Sequence, residues 1–556
     1  MAATTHDLLV VGGGVVGAGT ALDAASRGLS VALVEARDYA SGTSSRSSKL
    51  VHGGLRYLQM LDFRLVRESL TERGLLLQRL APHLVRPVPF LHPLTRRWER
   101  PYVGAGLLLY DTMSLAPGLP RGLPRHRHLN RAAALRVFPA LRPDALVGAV
   151  QYWDAQVDDA RHTLTVVRTA AALGAAVANR AQVVDLIREG AAVVGARVRD
   201  LETGTELAVR AHRVVLATGV WTDETRALAG GPGRVHVRAS KGVHLVVPRE
   251  RIRADSGMIL RTEKSVLFVI PWGRHWIVGT TDTDWALDRA HPAASRADVD
   301  YLIGHLNAVL VDPITREDVE GVYAGLRPLL AGESAETSAL SREHSVTRPV
   351  PGLVVVAGGT YTTYRIMARD TVDAAVTGLD RPVPASRTAA LPLLGADGWR
   401  RSVADRDRLA AASGLAPTTI DHLLGRYGSM TADVLAVVAQ DRSFAEELPG
   451  GEGYLAGEVV YAVRAEAALH LPDVLVRRTR LSIEARDRGE AAAEPVARLL
   501  GRELGWAAGR VAHEVRYYRA RLEAERQSQE TLDDATADAT RLGAPDLVET
   551  VPLARR

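Results

Sequence analysis

Three glycines, Gly12, Gly14 and Gly17, are spaced G-x-G-x-x-G between an apolar run ending at Val11 and a helical pattern that leads to a second apolar run closed by Glu35. Strand, tight turn, helix, strand and acidic residue in that order bind dinucleotides. Gly12 permits the tight turn, Gly14 lets the backbone approach a pyrophosphate, and Gly17 lets the helix pack on the strand, so that phosphates rest at the helix N-terminus. A carboxylate at Glu35 accepts hydrogen bonds from ribose hydroxyls and repels the extra phosphate of NADP. The expected ligand is FAD or NAD.

Composition narrows the chemistry further. The chain has 556 residues, 47% of them hydrophobic and 24% charged, which suits several globular domains rather than one core. It contains no cysteine, so thiolate chemistry, disulfides, iron–sulfur clusters and cysteine-ligated zinc are excluded. Redox work must rest on an organic cofactor, and no metal site is expected. The net charge is +5 and the pI is near 9.5, but acidic residues alternate with the arginines, so a solvated mixed surface is expected and no nucleic-acid partner. Lysine occurs only at Lys49, Lys241 and Lys264, which singles out the first two, both in motif-like stretches. No basic segment followed by an apolar stretch opens the chain, and apolar runs such as Val103 to Tyr110 are far too short to span a bilayer. The expectation is a cytoplasmic protein.

The elements that must position these residues follow from periodicity. A serine-rich loop from Ser41 feeds a helical pattern over Arg64 to Leu80, and prolines at 82, 87, 89 and 93 break it, placing a domain boundary near residue 82. Asp159 to Leu173 reads as a helix. Gln182 to Ile187, Ala192 to Arg199 and Glu206 to Arg210 read as a meander, and Val214 to Ala217 as a separate buried strand. Strands are expected at His244 to Val247, Val266 to Ile270 and Trp276 to Thr280, with Asp282 to Asp284 as the closing turn. Leu353 to Ala357, then Gly358-Gly359 and a helix from about Thr362, read as a return strand of the first sheet. From about residue 386 the pattern is helical, including Gly457 to Leu471 and Trp506 to Glu523. Residues from 528 carry no sustained apolar face and are expected to form a loosely ordered tail.

The stretches Ser47-Ser-Lys-Leu-Val-His-Gly-Gly-Leu-Arg-Tyr57, Lys241-Gly-Val-His244, Gly279-Thr-Thr-Asp-Thr-Asp284, Gly325-Leu-Arg-Pro328, Ser341-Arg-Glu-His344 and Thr362-Thr-Tyr-Arg365 carry a resemblance. Together they resemble the FAD-dependent glycerol-3-phosphate dehydrogenases, within the D-amino-acid-oxidase-like flavoproteins. Arg477-Arg-Thr-Arg480 resembles that family's C-terminal domain. The resemblance implies an α/β chain, with a Rossmann-like FAD-binding domain (1–81, 151–235, 341–385) interleaved with an antiparallel-sheet substrate domain (82–150, 236–340). A C-terminal all-helical domain (386–527) and the tail (528–556) complete it.

The implied FAD contacts are Gly12, Gly14, Gly17, Glu35, Thr43, Ser47, Ser48, Leu50, His52, Val183, Gly219, Trp221, Gly358, Gly359, Thr362 and Thr363. The turn at Gly358-Gly359 would aim a helix N-terminus at the flavin, with Thr362 or Thr363 as hydroxyl donor. Arg56, Tyr57, Arg327 and Arg342 are the implied holders of a substrate phosphate, because a guanidinium gives paired hydrogen bonds to phosphate oxygens. His244 is the first candidate for the base that removes the hydroxyl proton and His52 the second, while Arg327 also suits a developing alkoxide. Lys49 reads equally as a support of the phosphates or loop and as a surface lysine. Thr360 stands where the family pattern commonly has lysine, so a charged phosphate contact is missing there.

The implied reaction is oxidation of sn-glycerol 3-phosphate to dihydroxyacetone phosphate, with electrons passing to a quinone or another acceptor, oxygen included. The stretch from Arg96 to Tyr110 reads either as an aromatic-basic patch for the inner face of a membrane or as a core helix with a charged start. A homodimer stays compatible with the sequence. The rival readings are an oxidase for another polyol phosphate or for an amine or amino acid, an NAD-dependent dehydrogenase, and a flavoprotein that no longer turns over.

Overall fold

The computed structural model describes residues 1–54, 62–113, 123–230, 236–263, 266–331 and 343–553. The opening unit is β1 (His6–Val11), α1 (Val15–Ser26) and β2 (Val31–Val34), with β1 and β2 parallel and in register from Leu8↔Val31 to Val11↔Val34. Both strands are apolar and buried throughout their paired lengths, as a parallel sheet covered on both faces requires. The turn works as the glycine spacing predicts. Gly12 has a φ of 112° and a side chain there would meet the carbonyl of Ala217, while a side chain at Gly17 would strike the carbonyl of Gly12.

The chain then leaves the first sheet. β3 (Leu50–Val51) pairs with the second sheet, α2 (Phe63–Leu75) runs into a π turn at Leu76–Leu80, and β4 (Val85–Leu94), α3 (Glu99–Met113), β5 (Arg127–Asn130) and β6 (Gly148–Val157) follow. β4 lies antiparallel to β6 over its whole length despite Pro87, Pro89 and Pro93. The three prolines share one parity, so their missing donors face the flank that the next strand touches only at Phe90 and Leu91. Because β6 belongs wholly to the second sheet, the crossing back falls after residue 157, not at the expected 150.

α4 (Asp159–Ala172), β7 (Ala176–Ala178), β8 (Ala181–Glu189), β9 (Ala192–Asp200) and β10 (Glu206–Leu216) return to the first sheet. The two strands expected over 206–210 and 214–217 are one: β10 pairs antiparallel with β9 at its start and parallel with β1 at its end. A single strand thus carries the meander and the doubly wound sheet together.

β11 (Val237–Pro248), β12 (Gly257–Arg261), β13 (Val266–Trp272), β14 (His275–Gly279) and β15 (Thr283–Trp285) build the rest of the second sheet, with α5 (Arg296–Asn307) and β16 (Gly321–Leu330). The expected turn at 282–284 is in fact the start of β15, which pairs with β11 through Lys241↔Thr283. Burial of Trp285, whose indole donates to the Asp288 carbonyl, pulls that segment onto the sheet. β17 (His344–Thr347) and β18 (Leu353–Gly358) complete the first sheet, in the order β17-β18-β10-β1-β2-β7 with β8 and β9 alongside, and α6 (Tyr364–Val376) follows a 3-10 turn at Tyr361–Thr363.

The last part is helical and includes α7 (Ala456–Glu466), α8 (Glu490–Leu504), α9 (Ala508–Ser528) and α10 (Asp534–Leu542). α10 corrects the expectation of a loosely ordered tail. Its N-cap Asp533 accepts from the Thr536 N–H, and Ala537, Asp538 and Arg541 are buried. Small residues and paired charges bury this helix, so no apolar stripe announces it. No helix among the described residues is long and apolar enough to cross a membrane.

Candidate cofactor and substrate site

A cavity of about 1050 Å³ lies between the two sheets. That is the upper end of the range, about 300 to 1,000 Å³, in which small-molecule sites fall. Gly12, Gly14, Glu35, Val183 and Gly219 line it, as do His52, Gly242, His244 and Arg327. Thr43, Ser47, Ser48, Leu50, Trp221, Gly358 and Gly359 complete the expected residues that line the wall. The Glu35 carboxylate accepts from the backbone N–H groups of Gly13, at 2.7 Å, and Arg37, at 2.8 Å. Burial raises its pKa against the pull of these two donors.

The serine-rich loop is held from beneath by one carboxylate. Asp159, at the start of α4, accepts from the Ser47 N–H and hydroxyl and from the Lys49 ammonium at 2.9 Å, and also pairs with Arg480. Lys49 is therefore neither a surface lysine nor a cavity-lining cation. It is fully buried, donates to the Ser45 carbonyl, and lies 4.8 Å over the Tyr323 ring. Lys241 is equally buried, between Asp298 and Asp534, and joins β11 to α5 and α10.

His244 and Arg327 come from neighbouring strands, since β11 and β16 pair with Ser240 opposite Arg327 and His244 opposite Tyr323. The His244 Nε2 and the Ser48 hydroxyl share a hydrogen bond of 2.8 Å, and the Tyr323 ring stacks on the imidazole at 4.7 Å. His244 Nδ1 is buried with no hydrogen-bond partner among the described residues. Burial, then the charges of Arg327 and Lys49, hold its pKa well below 6.5, so the ring is neutral and can accept a proton. Arg327 donates to Ser240, Thr280 and the Thr281 carbonyl, with Asp282 at 3.6 Å. A side chain at Gly242 would come within 2.6 Å of that guanidinium, so glycine is what leaves it room.

Three expected site residues are not in the cavity wall. Gly17 acts only through helix packing. Thr362 and Thr363 are buried, and their hydroxyls are used by the protein: Thr362 bonds the His52 backbone and Thr363 bonds Thr360. The turn at Gly358-Gly359 reaches the cavity, so backbone rather than the two hydroxyls is presented there. Arg56, Tyr57 and Arg342 lie outside the described residues. Missed at the sequence level were Tyr323, Arg46, Gln182 and the segment Thr550–Leu553. Tyr323 is found only through strand register. Arg46 stands inside the serine-rich loop, lines the cavity and donates to the Ala290 carbonyl, and its position amid serines was the available signal.

The donor set fits a flavin dinucleotide: a glycine cradle at the N-terminus of α1 for the diphosphate, a carboxylate at the end of β2, and a continuous wall that also includes His244 and Arg327. Comparison with known proteins agrees. A family model described as "FAD dependent oxidoreductase" matches residues 7–373, and one described as "C-terminal domain of alpha-glycerophosphate oxidase" matches residues 386–511. The chain is 57% identical to glycerol-3-phosphate dehydrogenase 2 of Mycobacterium tuberculosis over 552 residues, covering 98% of this chain and 94% of that protein. The chain belongs to the FAD-dependent glycerol-3-phosphate dehydrogenase family. Within it, the human mitochondrial glycerol-3-phosphate dehydrogenase is 38% identical over 90% of this chain and 71% of its own length. The crystal structure of the Bacillus halodurans glycerol-3-phosphate dehydrogenase complexed with FAD superposes with a TM-score of 0.77 at 31% identity, covering 94% of this chain and 95% of that one. The cofactor of this family member is FAD, and the protein is an oxidoreductase.

Proposed function

We propose that this enzyme oxidises sn-glycerol 3-phosphate to dihydroxyacetone phosphate at the end of the cavity where His244 and Arg327 meet. The observation that carries the reading is the pairing of a neutral, buried imidazole with a fixed guanidinium in one wall. Bound FAD supplies the hydride acceptor, its N5, for the hydrogen on carbon 2 of the substrate. His244 takes the hydroxyl proton as the C–O bond becomes C=O, and Ser48 and the stacked Tyr323 hold the ring in place. Arg327, already tied by Ser240 and Thr280, meets the developing negative oxygen without having to reorganise. Arg56, Tyr57 and Arg342 hold the phosphate in this reading, and the diphosphate of the cofactor rests on the Gly12–Gly14 turn. Anaerobic addition of glycerol 3-phosphate should bleach the flavin of the holoenzyme. His244→Gln should keep its FAD and bleach slower by a factor of about 10² to 10⁴. Bleaching at the wild-type rate removes His244 as the base, and no bleaching of the wild type removes the substrate.

The electrons pass, in the same proposal, to a quinone or another acceptor at the inner face of a membrane. Helix α3 supports this: Trp98 just before it is 60% exposed, and Tyr102 and Leu108 on it are each 59% exposed, beside Arg96 and Arg97. A core helix would bury those side chains, so this exposure favours the surface-patch reading over the core reading. Activity should sediment with anionic vesicles and be released by salt, and Trp98→Ala should weaken sedimentation. Indifference of sedimentation to vesicles or salt overturns the membrane reading alone.

A further inference from the structure

We infer that the C-terminal segment Thr550–Leu553 is a strap that closes the adenosine end of the cofactor cavity and retains FAD. The segment lies beyond both matched family regions, which end at residues 373 and 511. It nevertheless lines the cavity with Glu35, Arg37, Gln182 and Val183, and the Arg37 guanidinium donates to the Thr550 hydroxyl at 3.4 Å. Its register is fixed by a two-point amide pair: Gln182 Nε2 donates to the Val551 carbonyl at 2.7 Å, and the Val551 N–H donates to Gln182 Oε1 at 2.8 Å. Gln182 is itself buried, and Leu553 packs against the apolar cluster under β8, β9 and β10.

The strap is drawn tight from its other side. Asp534, at the start of α10, pairs with Lys241 on β11, and Asp546 pairs with His291 at 2.6 Å. The segment thus runs from the second sheet, over α9, to the first sheet, and its last contacts sit on β8, whose first residue Ala181 donates its N–H to the Glu35 carbonyl. The amide groups of a buried glutamine aimed at a passing backbone form a specific two-point pair that is costly to break, because each buried group would be left unsatisfied. A cofactor held on the Gly12–Gly14 turn can then leave only after that pair opens.

This inference rests on FAD lying in this cavity, and the experiment separates the two. Val551→Pro removes the N–H that Gln182 accepts, and a chain ending at Glu549 removes the whole strap. Release of FAD from the holoprotein is followed by the rise in flavin fluorescence after dilution. Both variants should release FAD on the order of ten times faster than the wild type, the factor that loss of such a hydrogen-bonded pair implies. Bound FAD should also protect the C-terminus of the wild type from carboxypeptidase. Thermal melting of the apoproteins shows whether the variants are folded, and Val551→Pro carries the test if the shortened chain is not. Equal release rates overturn the strap. Slower release from the shortened chain overturns it too, because the segment would then occupy the cofactor's own place. A wild-type apoprotein that takes up no FAD overturns the placement of the cofactor and the strap with it.

Discussion

His244 is neutral because of where it sits. Burial, Arg327 and Lys49 all disfavour a second proton on the ring. Its folded-state pKa lies below the value of about 6.5 of an unfolded chain, so between those two values the unfolded chain binds the additional proton. Stability therefore rises with pH through that window and falls as the pH drops below 6.5. An imidazole NMR titration of the holoprotein should show His244 still unprotonated at pH 6, while His244→Gln loses less stability than the wild type on acidification from there. A midpoint at or above 6.5 overturns this account of the base. The stretch Lys241-Gly-Val-His244 singled this residue out in the sequence and the structure puts it in the cavity wall, but its neighbours were not legible. Tyr323 is 79 residues away and meets the ring only because β11 and β16 pair in one register.

At the scale of elements, much of the architecture was readable from period and punctuation. β1, α1 and β2 have apolar runs, glycines and an acidic end that agree with one another, and local agreement of that kind is what makes a unit legible. The failures share a cause. β10 was divided because its two halves have different partners, and α10 was missed because burial there uses alanine and ion pairs in place of an apolar stripe.

The contact between the hairpin after β9 and helix α9 was equally invisible, since it consists of one histidine and two distant carboxylates. His470 Nε2 meets Glu202 at 2.7 Å and its Nδ1 meets Glu514 at 2.9 Å. Burial opposes its charge, but the two carboxylates win and push its pKa up to about 9. A raised folded value gives stabilisation that is complete below the unfolded pKa of about 6.5 and is lost as the pH climbs through about 9. The gap in melting temperature between wild type and His470→Gln should be widest below pH 6.5, corresponding to about 3 kcal/mol, and should close by pH 10. A gap that does not change with pH shows that packing, not charge, holds this contact.

Across the whole molecule, the helical domain is bound to the cofactor domain by buried charge. Arg478 grips Asp38 with bonds of 2.5 and 2.8 Å, Arg477 reaches the same carboxylate, and Arg480 bridges Asp158 at 2.5 Å and Asp159. Burial alone would raise the Asp38 and Asp158 carboxyls, but these guanidiniums hold both well below the usual carboxylate range. Asp159 is also the residue that holds Ser47 and Lys49, and Arg480 itself donates to the Ser45 carbonyl at 3.3 Å, so the C-terminal domain reaches the loop beside His244 both through Asp159 and directly. Removing one partner of a buried ion pair leaves the other charge without compensation and costs about 3 to 5 kcal/mol. Arg480→Met should lose about that much stability and release FAD in the same step, because the loop and the domain contact depend on the same carboxylate. Calorimetry of the wild-type holoprotein should accordingly show one transition, coincident with the rise of flavin fluorescence. If two transitions appear, with FAD lost only in the second, the helical domain unfolds independently of the site and Asp159 does not couple them.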